Sequence, residues 1–407
     1  MENHHKNSIV LFPRILYHHR TQGRGGEGVH IREIVGALRK LGCKVELQEP
    51  PGVDAMHACE TEATPAIQQG ASSFYSRAFK ILSQHAPQFV FEVAELGYNL
   101  WAWFLLSRRM REGRFEIFYE RYAFFSFIGT WLAAWRGIPS VLEVNEISGI
   151  ERMRGQAMPW LARRIEAAVF KRVDCILVVS NYLKDALVER GVEGGKVHVL
   201  PNAVREGVLT SDGPLGEEMR IRLNLQGRTV VGFVGQIARW DRLDLLMEDV
   251  AQLLPDMLDL HLLIVGPCPF MEELRQQVER LSLQHAVTLT GPVERADVAA
   301  YISIMDICVL PHSNPFGSPI VMFEYMAMGK PVLAVDVGPV RDVIRDEVNG
   351  CLFPMGDRGA FRQRLAALVA DPALRKRVGT QGNEDVRARH TWGRNAEQVL
   401  EIIRDLV

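Results

Sequence analysis

The sequence predicts an α/β protein of two lobes, each a doubly wound parallel β-sheet with helices on both faces. Three observations support this prediction: a strand–glycine loop–helix–strand unit near the N-terminus, a regular alternation of short apolar strands and helices after it, and a break in that alternation at residues 201–216. At roughly 150 residues per domain, a chain of 407 residues is long enough for two such lobes.

The N-terminal unit determines the type of sheet. A strand is predicted at residues 9–11 or 15–17, a glycine loop at 23–28, a helix at 29–41 and a second strand at 43–47. Crossovers of this kind are right-handed and join parallel strands, so the unit predicts a parallel sheet.

The remaining elements follow the same alternation. Residues 52–75 are small and polar and are predicted to be a loop, and residues 201–216 are predicted to be a linker. The first lobe continues with predicted helices at 75–110, 122–136, 157–172 and 181–190 and predicted strands at 115–119, 141–144, 175–179 and 197–200. The second lobe has predicted strands at 229–234, 260–265, 287–290, 307–310 and 331–335 and predicted helices at 241–254, 270–283, 296–304 and 319–328. The tail from about residue 359 is predicted to be helical, with a last helix at 394–405.

The bulk composition argues against several classes of protein. Hydrophobic residues make up 47% and charged residues 24%, an ordinary globular balance, and the net charge of −2 argues against a nucleic-acid partner. The six cysteines form no C-x-x-C pair and are predicted to be buried reduced thiols, which suits the cytoplasm. The N-terminus lacks the apolar core of a signal peptide, and no run of about 18 apolar residues predicts a membrane span.

Glycines follow three strands of the second lobe at Gly235, Gly266 and Gly291. Ligands of open α/β sheets bind at the carboxyl ends of the strands, where glycine lets a ligand approach the backbone. Glycine also suits a tight turn, so both interpretations stay open at this point.

The stretch PHSNPFGSPIVMFEYMAMGK at residues 311–330 predicts a loop followed by a helix that begins near Pro319. The unpaired N–H groups at the helix start, preceded by Gly317 and Ser318, predict an anion site that fits a diphosphate. Glu324 lies about one and a half turns further along the same helix, where its carboxylate can accept hydrogen bonds from ribose hydroxyls. A purely structural role for Glu324 is the alternative.

These segments resemble the retaining nucleotide-sugar glycosyltransferases of the GT-B fold, family 4. The matching segments are GGEGVHIREIVGALRKLGCKV, VVSNYLKDAL with KVHVLPNAV, GFVGQIARW, LLIVG, VTLTGPV, FGSPIVMFEYMAMGKPVLA and VNGCLF, in the family's order between about residues 15 and 396. The resemblance implies two Rossmann-like domains facing across a cleft. The acceptor-side domain would span residues 1–205, completed by a C-terminal helix at about 390–407, and the donor-binding domain would span residues 206–389.

The resemblance also implies roles for single residues. Glu324 would bind the ribose, and Val293 would lie near the base. The first lobe would contribute Gly26 and Gly28, which would approach the donor phosphate. The diphosphate and sugar would be held by Phe316, Gly317, Ser318, Pro319 and Ile320. The catalytic candidates are Asn145, which stands where many relatives have a histidine, Glu146 beside it, and Arg121 at the end of the preceding strand. His18, His19 and His30 could also face the cleft.

The chain departs from the family pattern in its charges. Phe316 stands where the family often has an acidic residue, and Val321 where a related subgroup has lysine. Gln236 and Asp241 replace an arginine and a lysine that usually neutralise the diphosphate. Arg239 and Arg242 are near enough in sequence to take over that task. No metal site is evident, and the resemblance implies that no metal or other cofactor is needed, so positive side chains and helix dipoles would neutralise the donor.

An aromatic and arginine-rich segment lies in the first lobe. Residues 100–172 carry 12 Lys and Arg against 7 Asp and Glu, with Arg108, Arg109, Arg111 and Arg114 interleaved among tryptophans and phenylalanines. The aromatics either form the core and acceptor pocket of the first lobe or face a membrane, as interfacial helices do.

The resulting functional hypothesis is a cytoplasmic enzyme that transfers a sugar from a nucleotide-diphosphate sugar to an acceptor hydroxyl with retention, in cell-surface polysaccharide or glycoconjugate biosynthesis. The expected partners are the donor and a sugar, glycan or lipid-linked acceptor, with peripheral contact at the inner face of the membrane left open. The alternatives are a non-catalytic protein with a degenerate donor site and a GT-B sugar-nucleotide epimerase.

Overall fold

Two separate parallel sheets organise the protein in the computed structural model, which describes residues 12–23, 25–56, 87–150, 155–205 and 214–407. The first sheet has the strand order β2-β1-β3-β4-β5-β6 and the second the order β12-β11-β10-β7-β8-β9, and all strand pairs are parallel. The predicted architecture of two doubly wound parallel sheets is therefore confirmed.

The first lobe contains eleven of the helices and strands in the described ranges. They are β1 Arg14–His18, α1 Gly25–Lys40, β2 Lys44–Gln48, α2 Gln88–Glu112, β3 Ile117–Arg121, α3 Ile128–Arg136, β4 Ser140–Val144, α4 Pro159–Arg172, β5 Cys175–Val178, α5 Asn181–Glu189 and β6 Val197–Val199. Strands β3 and β4 are buried along their whole length because helices cover both faces of the sheet.

The second lobe follows the linker region. Its elements are α6 Pro214–Arg222, β7 Thr229–Val234, α7 Leu243–Leu253, β8 Leu260–Val265, α8 Met271–Arg280, β9 Val287–Leu289, α9 Val298–Ser303, β10 Ile307–Leu310, α10 Ile320–Ala327, β11 Val332–Asp336, α11 Gly338–Arg341, β12 Cys351–Pro354, α12 Arg358–Ala370 and α13 Pro372–Arg389. The last helix, α14 Trp392–Arg404, packs against α1, and Trp392 and Val399 are buried with Ile31 and Leu38 in one core cluster.

Each sheet has one point where the strand order reverses. In the first sheet this point lies between β1 and β3, and in the second between β7 and β10. A crevice opens at such a point beyond the carboxyl ends of the strands, because the helices that follow the two strands lie on opposite faces. The two crevices are where the fold leaves room for ligands.

Several predicted elements agree with the structure to the residue, and others do not. The strands predicted at 229–234, 260–265 and 307–310 match β7, β8 and β10. Residues 15–17 lie in β1, whereas residues 9–11 and most of the predicted loop 52–75 lie outside the described residues. Helices α6 and α11 and strand β12 were not predicted, and α6 begins in the last three residues of the predicted linker.

Two helix boundaries were predicted wrongly. Helix α1 begins at Gly25, so Gly26 and Gly28 lie in its first turn and not in a loop. Residues 122–127 are not helical: Phe125 has φ of +62°, and the side-chain oxygen of Asn99 accepts hydrogen bonds from the backbone N–H groups of Phe127 at 3.1 Å and Ile128 at 3.3 Å. That buried cap from α2 sets the start of α3, and no local pattern reveals it.

The cysteines of the described ranges are free thiols. Cys43, Cys175, Cys308 and Cys351 are buried and Cys268 is half-buried, as predicted for reduced core thiols, while Cys59 lies outside the described residues. Burial raises the pKa of the Cys43 thiol to about 11, which keeps it protonated and unreactive at neutral pH.

Helix packing in the second lobe generates a test of stability. A Cβ at Gly379, in α13, would lie 2.2 Å from the carbonyl oxygen of Gly329, just after α10. We expect Gly379→Ala to lower the free energy of unfolding by about 1–3 kcal/mol, because backbone must move to make room. Chemical denaturation followed by circular dichroism measures the change.

The matched control is Gly36→Ala in α1, where an added Cβ would meet nothing within 4 Å. We expect this variant to be neutral or more stable by about 0.5–1 kcal/mol, the helix preference of alanine over glycine. Equal stability changes in the two variants would contradict the packing argument.

Candidate active site

The carboxyl ends of the two sheets face each other and are joined by hydrogen bonds. The Ser180 hydroxyl, after β5, donates to the carbonyl oxygen of Phe316 at 2.7 Å. The side-chain amide of Asn202 donates to the carbonyl oxygen of Ser318 at 2.6 Å, and its backbone N–H donates to the Ser318 hydroxyl at 3.1 Å. These contacts hold the loop of residues 311–319 against the first lobe.

Glu143, in β4, is the centre of a buried polar network in the first lobe. Its carboxylate is 2% exposed and forms an ion pair with Arg121. It also lies 3.2 Å from Nε2 of His30 and accepts hydrogen bonds from the Asn145 amide at 2.8 Å and the Tyr119 hydroxyl at 3.1 Å. The network gathers groups from α1, β3 and β4 at the reversal point of the sheet.

Electrostatics keeps this carboxylate ionised. Burial alone would raise the pKa of Glu143, but the attraction of His30 and Arg121 and the hydrogen bond from Asn145 outweigh it and hold the pKa well below its ordinary value. Burial raises the pKa of Tyr119 well above its ordinary value, and the charge of Glu143 adds to the shift. Tyr119 therefore stays a neutral donor to the carboxylate.

His30 connects this network to the second lobe. Its Nδ1 lies 2.9 Å from the side-chain oxygen of Asn202, whose amide nitrogen binds Ser318 across the cleft. Both ring nitrogens of His30 thus face acceptor oxygens, of Asn202 and of Glu143. A continuous chain of polar contacts runs from β4 to the loop of residues 311–319.

The predicted catalytic residues lie together at this point. Arg121 is buried and its charge is matched by Glu143, Asn145 donates to the same carboxylate, and Glu146 follows half-buried. Their catalytic role stays a prediction. Sequence reasoning missed Glu143 and Asn202. An acidic residue inside the otherwise apolar strand VLEV was a usable indication, because unpaired carboxylates are rarely buried.

His18 and His19 contact other carboxylates of the first lobe and not the Glu143 network. Nδ1 of His18 lies 2.9 Å from Glu120, and Nε2 of His19 lies 3.2 Å from Glu49. Burial lowers the pKa of His19.

Glu324, in α10, is buried in the second lobe and paired with an arginine that the sequence analysis did not single out. Both carboxylate oxygens of Glu324 contact the guanidinium of Arg295, one of them at 3.3 Å. Arg295 belongs to the short turn after β9, two residues beyond Val293, which packs partly buried against the second core. The turn that follows Val293 is therefore in contact with Glu324 through Arg295.

The loop before α10 uses part of its own hydrogen-bonding capacity. The side-chain oxygen of Asn314 accepts from the backbone N–H groups of Phe316, at 3.2 Å, and Gly317. Pro319 caps the helix, so Ile320 and Val321 present the first N–H groups, which have no acceptor within the helix. The anion site predicted at the helix start stays a prediction, and the Phe316 side chain packs against the first-lobe core.

The predicted donor-site glycines differ in what requires them. Gly266 has φ of +131°, and a Cβ there would lie 1.9 Å from the carbonyl oxygen of Gly235, so the turn itself requires glycine. A Cβ at Gly28 would lie 2.1 Å from the Gly23 carbonyl oxygen. Gly26 is exposed, and its absent Cβ would lie 3.8 Å from Cδ1 of Ile320, so it faces the start of α10 across the cleft.

The segment after β7 places its charges differently from the prediction. Arg239 pairs with Glu273 at 2.7 Å and lies over the Phe270 ring, and Arg242 pairs with Asp244 at 3.0 Å. The side chains of these four groups are 44–69% exposed, and a role of the two arginines in neutralising a diphosphate stays a prediction that requires them to leave their partners. Gln236 is exposed.

Asp241 is the unusual charge of this segment. It accepts a hydrogen bond from the Ala238 N–H at 2.7 Å, and burial raises the pKa of its carboxyl group to about 6. At neutral pH this position of the second lobe therefore carries a negative charge.

No group of three or more His, Cys, Asp and Glu side chains among the described residues is arranged to hold a metal ion. That the reaction needs no metal stays a prediction.

Two family models match the chain, one for each lobe. Residues 24–206 match the model described as Glycosyltransferase Family 4, and residues 228–371 match the model described as Glycosyl transferases group 1.

Curated relatives match over most of the chain. Alpha-maltose-1-phosphate synthase of Mycolicibacterium smegmatis is 26% identical over 93% of this chain and 95% of its own length. D-inositol 3-phosphate glycosyltransferase of Xylanimonas cellulosilytica is 25% identical over 94% of this chain and 92% of its own. Phosphatidyl-myo-inositol mannosyltransferase of Mycobacterium leprae is 34% identical over 61% of each chain.

Solved structures share the fold. HepE of Anabaena, solved in complex with UDP, has a TM-score of 0.73 and 16% identity and covers 96% of this chain and 100% of its own. Sucrose-phosphate synthase of Thermosynechococcus elongatus has a TM-score of 0.71 and 21% identity and covers 97% and 99%. With one family model on each lobe and the same two-sheet architecture in these neighbours, the chain belongs to the GT-B glycosyltransferases of the family 4 and group 1 type.

Proposed function

We propose that this glycosyltransferase moves a hexose from a nucleotide-diphosphate sugar to an acceptor hydroxyl with retention, in glycoconjugate or surface-polysaccharide biosynthesis. The observation that carries the proposal is the position of α10: its N-terminus faces Gly26 across the cleft, and its buried carboxylate, Glu324, lies on the same helix. A helix N-terminus suits a diphosphate, and a carboxylate suits ribose hydroxyls.

In this proposal the diphosphate binds at the start of α10. The N–H groups of Ile320 and Val321 and the positive end of the helix dipole stabilise the negative charge that develops on the leaving group. Solved neighbours support such a donor, since HepE of Anabaena was solved with UDP and with UDP-glucose.

Arg295 positions Glu324 in the proposed donor complex. Its guanidinium donates to both carboxylate oxygens of Glu324 and so fixes the rotamer of the glutamate side chain. The lone pairs on the far side of each oxygen stay available for ribose hydroxyls. Arg295 is about one third exposed, so it also supplies positive charge at the mouth of the site.

The first lobe would orient the acceptor and the sugar. Arg121, His30 and Asn145 are held by the ionised Glu143, so their donors are fixed before the substrate binds. Such preorganisation is where enzymes gain most of their electrostatic stabilisation. Retention and the absence of a cofactor rest on the resemblance to the family.

A non-catalytic binding protein is the second candidate. The acidic Asp241, and the pairing of Arg239 and Arg242 with surface carboxylates, favour it because they leave the diphosphate with fewer positive partners. A thermal-stability screen of nucleotide sugars, followed by assay for transfer and hydrolysis of the donors that stabilise, separates the candidates. Donor binding without any turnover would support the second candidate, and stabilisation by no donor would oppose both.

Replacing the ribose carboxylate tests the donor assignment. We expect Glu324→Gln to weaken nucleotide-diphosphate sugar binding by about 1.5–3 kcal/mol, because a charged hydrogen-bond acceptor is lost. Calorimetry measures the affinity.

The control for this test is Glu272→Gln, which removes an exposed carboxylate of α8 in the same lobe. We expect the control to bind donor as the unchanged protein does. Unchanged affinity in a folded Glu324→Gln protein would mean that Glu324 is structural.

The pKa of Asp241 predicts a pH-dependent stability. Its folded-state pKa of about 6 lies above the ordinary value, so this carboxylate opposes folding once it ionises, and its contribution falls as pH rises from about 4 to about 6. We expect Asp241→Asn to raise the free energy of unfolding at pH 7–8 by on the order of 1–2 kcal/mol, and to leave it unchanged near pH 4.

Urea denaturation across this pH range measures the effect, and the exposed Asp256→Asn serves as the control. We also expect tighter nucleotide-diphosphate binding in Asp241→Asn at pH 8, since one negative charge is removed from the donor side. A stability gain that is the same at every pH would refute the assignment.

A further inference from the structure

Helix α2 is apolar on the side that faces solvent. Its inner side packs Tyr98 and Leu106 into the first-lobe core. Its outer side carries apolar residues at helical spacing, exposed to 56% at Phe89, 48% at Val93, 71% at Leu100 and 68% at Phe104. A helix on the surface of a globular lobe normally presents polar residues there. The same stripe ends in two arginines, Arg108 and Arg111, in the last turns.

The neighbouring helices extend this surface. The right-handed crossovers of the sheet place α2, α3 and α4 on one face, and α3 packs against both others. Three tryptophans on α3 and α4 point outward, with exposures of 44% at Trp131, 78% at Trp135 and 61% at Trp160. We call the solvent side of these three helices the outer face.

Each of these tryptophans lies beneath an arginine. The guanidinium of Arg172 lies 4.9 Å from the ring centre of Trp131, that of Arg136 lies 5.5 Å from Trp135, and that of Arg164 lies 5.9 Å from Trp160. The outer face therefore combines exposed apolar area with fixed positive charge. Large exposed apolar patches with a polar rim mark interaction sites.

We propose that the outer face docks on an anionic phospholipid bilayer. Exposed leucine and phenylalanine side chains gain by entering the acyl boundary, tryptophan prefers the headgroup level, and the arginines match the negative charge of the lipids. The segment of residues 100–172 carries a net positive charge in a chain whose total is −2, so the complementary charge is concentrated on this lobe.

The docking is peripheral. By length and composition α2 is long and apolar enough to cross a membrane, and among the described helices it alone is so. It is nevertheless tied into the lobe: Glu92 accepts hydrogen bonds from the backbone N–H groups of Ala157 at 2.7 Å and Met158 at 2.8 Å, and Asn99 donates to the carbonyl oxygen of Phe125 at 2.8 Å. The helix lies along the bilayer surface as part of the folded lobe.

The outer face reaches the cleft. Helix α2 runs antiparallel to the strands of the sheet, so its N-terminal end lies at their carboxyl ends, and Glu95 pairs there with Arg20 just after β1 at 2.6 Å. A bound membrane would thus lie beside the crevice that contains Glu143. The inference that the acceptor is presented from the bilayer rests on the proposed function, whereas the docking itself does not.

Vesicle sedimentation tests the docking with the full chain. We expect the protein to bind vesicles of mixed phosphatidylglycerol and phosphatidylcholine at low salt and to bind them more weakly at moderate salt. Binding to vesicles of pure phosphatidylcholine should be weaker than binding to the mixed vesicles. Leu100→Gln with Phe104→Gln should lower the partition constant at least about tenfold. Arg108→Gln with Arg111→Gln should lower it for the anionic vesicles only.

Matched controls come from the second lobe. Leu258→Gln with Ile221→Gln replaces residues that are 76% and 53% exposed, and Arg275→Gln with Arg280→Gln replaces exposed arginines of α8. Both controls should bind vesicles as the unchanged protein does. Donor-induced thermal stabilisation should be equal in all variants, which separates failure of docking from failure of the proposed function.

Three outcomes would overturn the proposal. The first is the absence of vesicle binding at both salt concentrations in a folded protein, and the second is an equal loss of binding in the test and control variants. The third is a dimer in light scattering that becomes a monomer with Leu100→Gln and Phe104→Gln while vesicle binding is absent, which would assign the outer face to a second copy of this chain.

Discussion

The carboxylate of Glu143 is the group on which the cleft depends. It is buried at the carboxyl end of β4 and is compensated by Arg121, His30 and Asn145. Removing one partner of a buried ion pair leaves an uncompensated charge, which typically costs about 3–5 kcal/mol. The positions of three cleft side chains are thus fixed together by one negative charge.

The same network sets the relation between the lobes. His30 passes from Glu143 to Asn202, and Asn202 binds the backbone and the hydroxyl of Ser318. Ser318 stands immediately before Pro319, the cap of α10. Hydrogen bonds therefore link the Glu143 network directly to the start of the helix that we propose binds the diphosphate.

Charge balance distinguishes this cleft from the family pattern. In the second lobe the buried Glu324 is compensated by Arg295, and Asp241 adds a carboxylate where the family has lysine. A diphosphate brought between them needs positive partners, which the start of α10 supplies as backbone dipoles and Arg295 as a side chain. In the proposed donor complex, diphosphate binding would therefore depend more on the orientation of these backbone N–H groups than on basic side chains.

The sequence by itself determined the architecture and located the segment that we propose as the donor site. Strands β7, β8 and β10 were located to the residue, because continuous apolar runs ended by glycine or proline have few alternatives in a parallel sheet. Glu324 and the start of α10 were found because one local stretch contains the loop, the capping proline and the carboxylate.

Only the tertiary structure decided which charges meet. Arg295 and Glu324 are 29 residues apart in the sequence, and Glu143 lies on β4 whereas His30 lies on α1. It also placed the start of α3 through the cap from Asn99, and it placed the apolar stripe of α2 on the outside of the lobe. Periodicity identifies an apolar face of a helix but does not say what covers that face. The answer depends on which face of the sheet the crossover places the helix on, and on whether another element packs outside it.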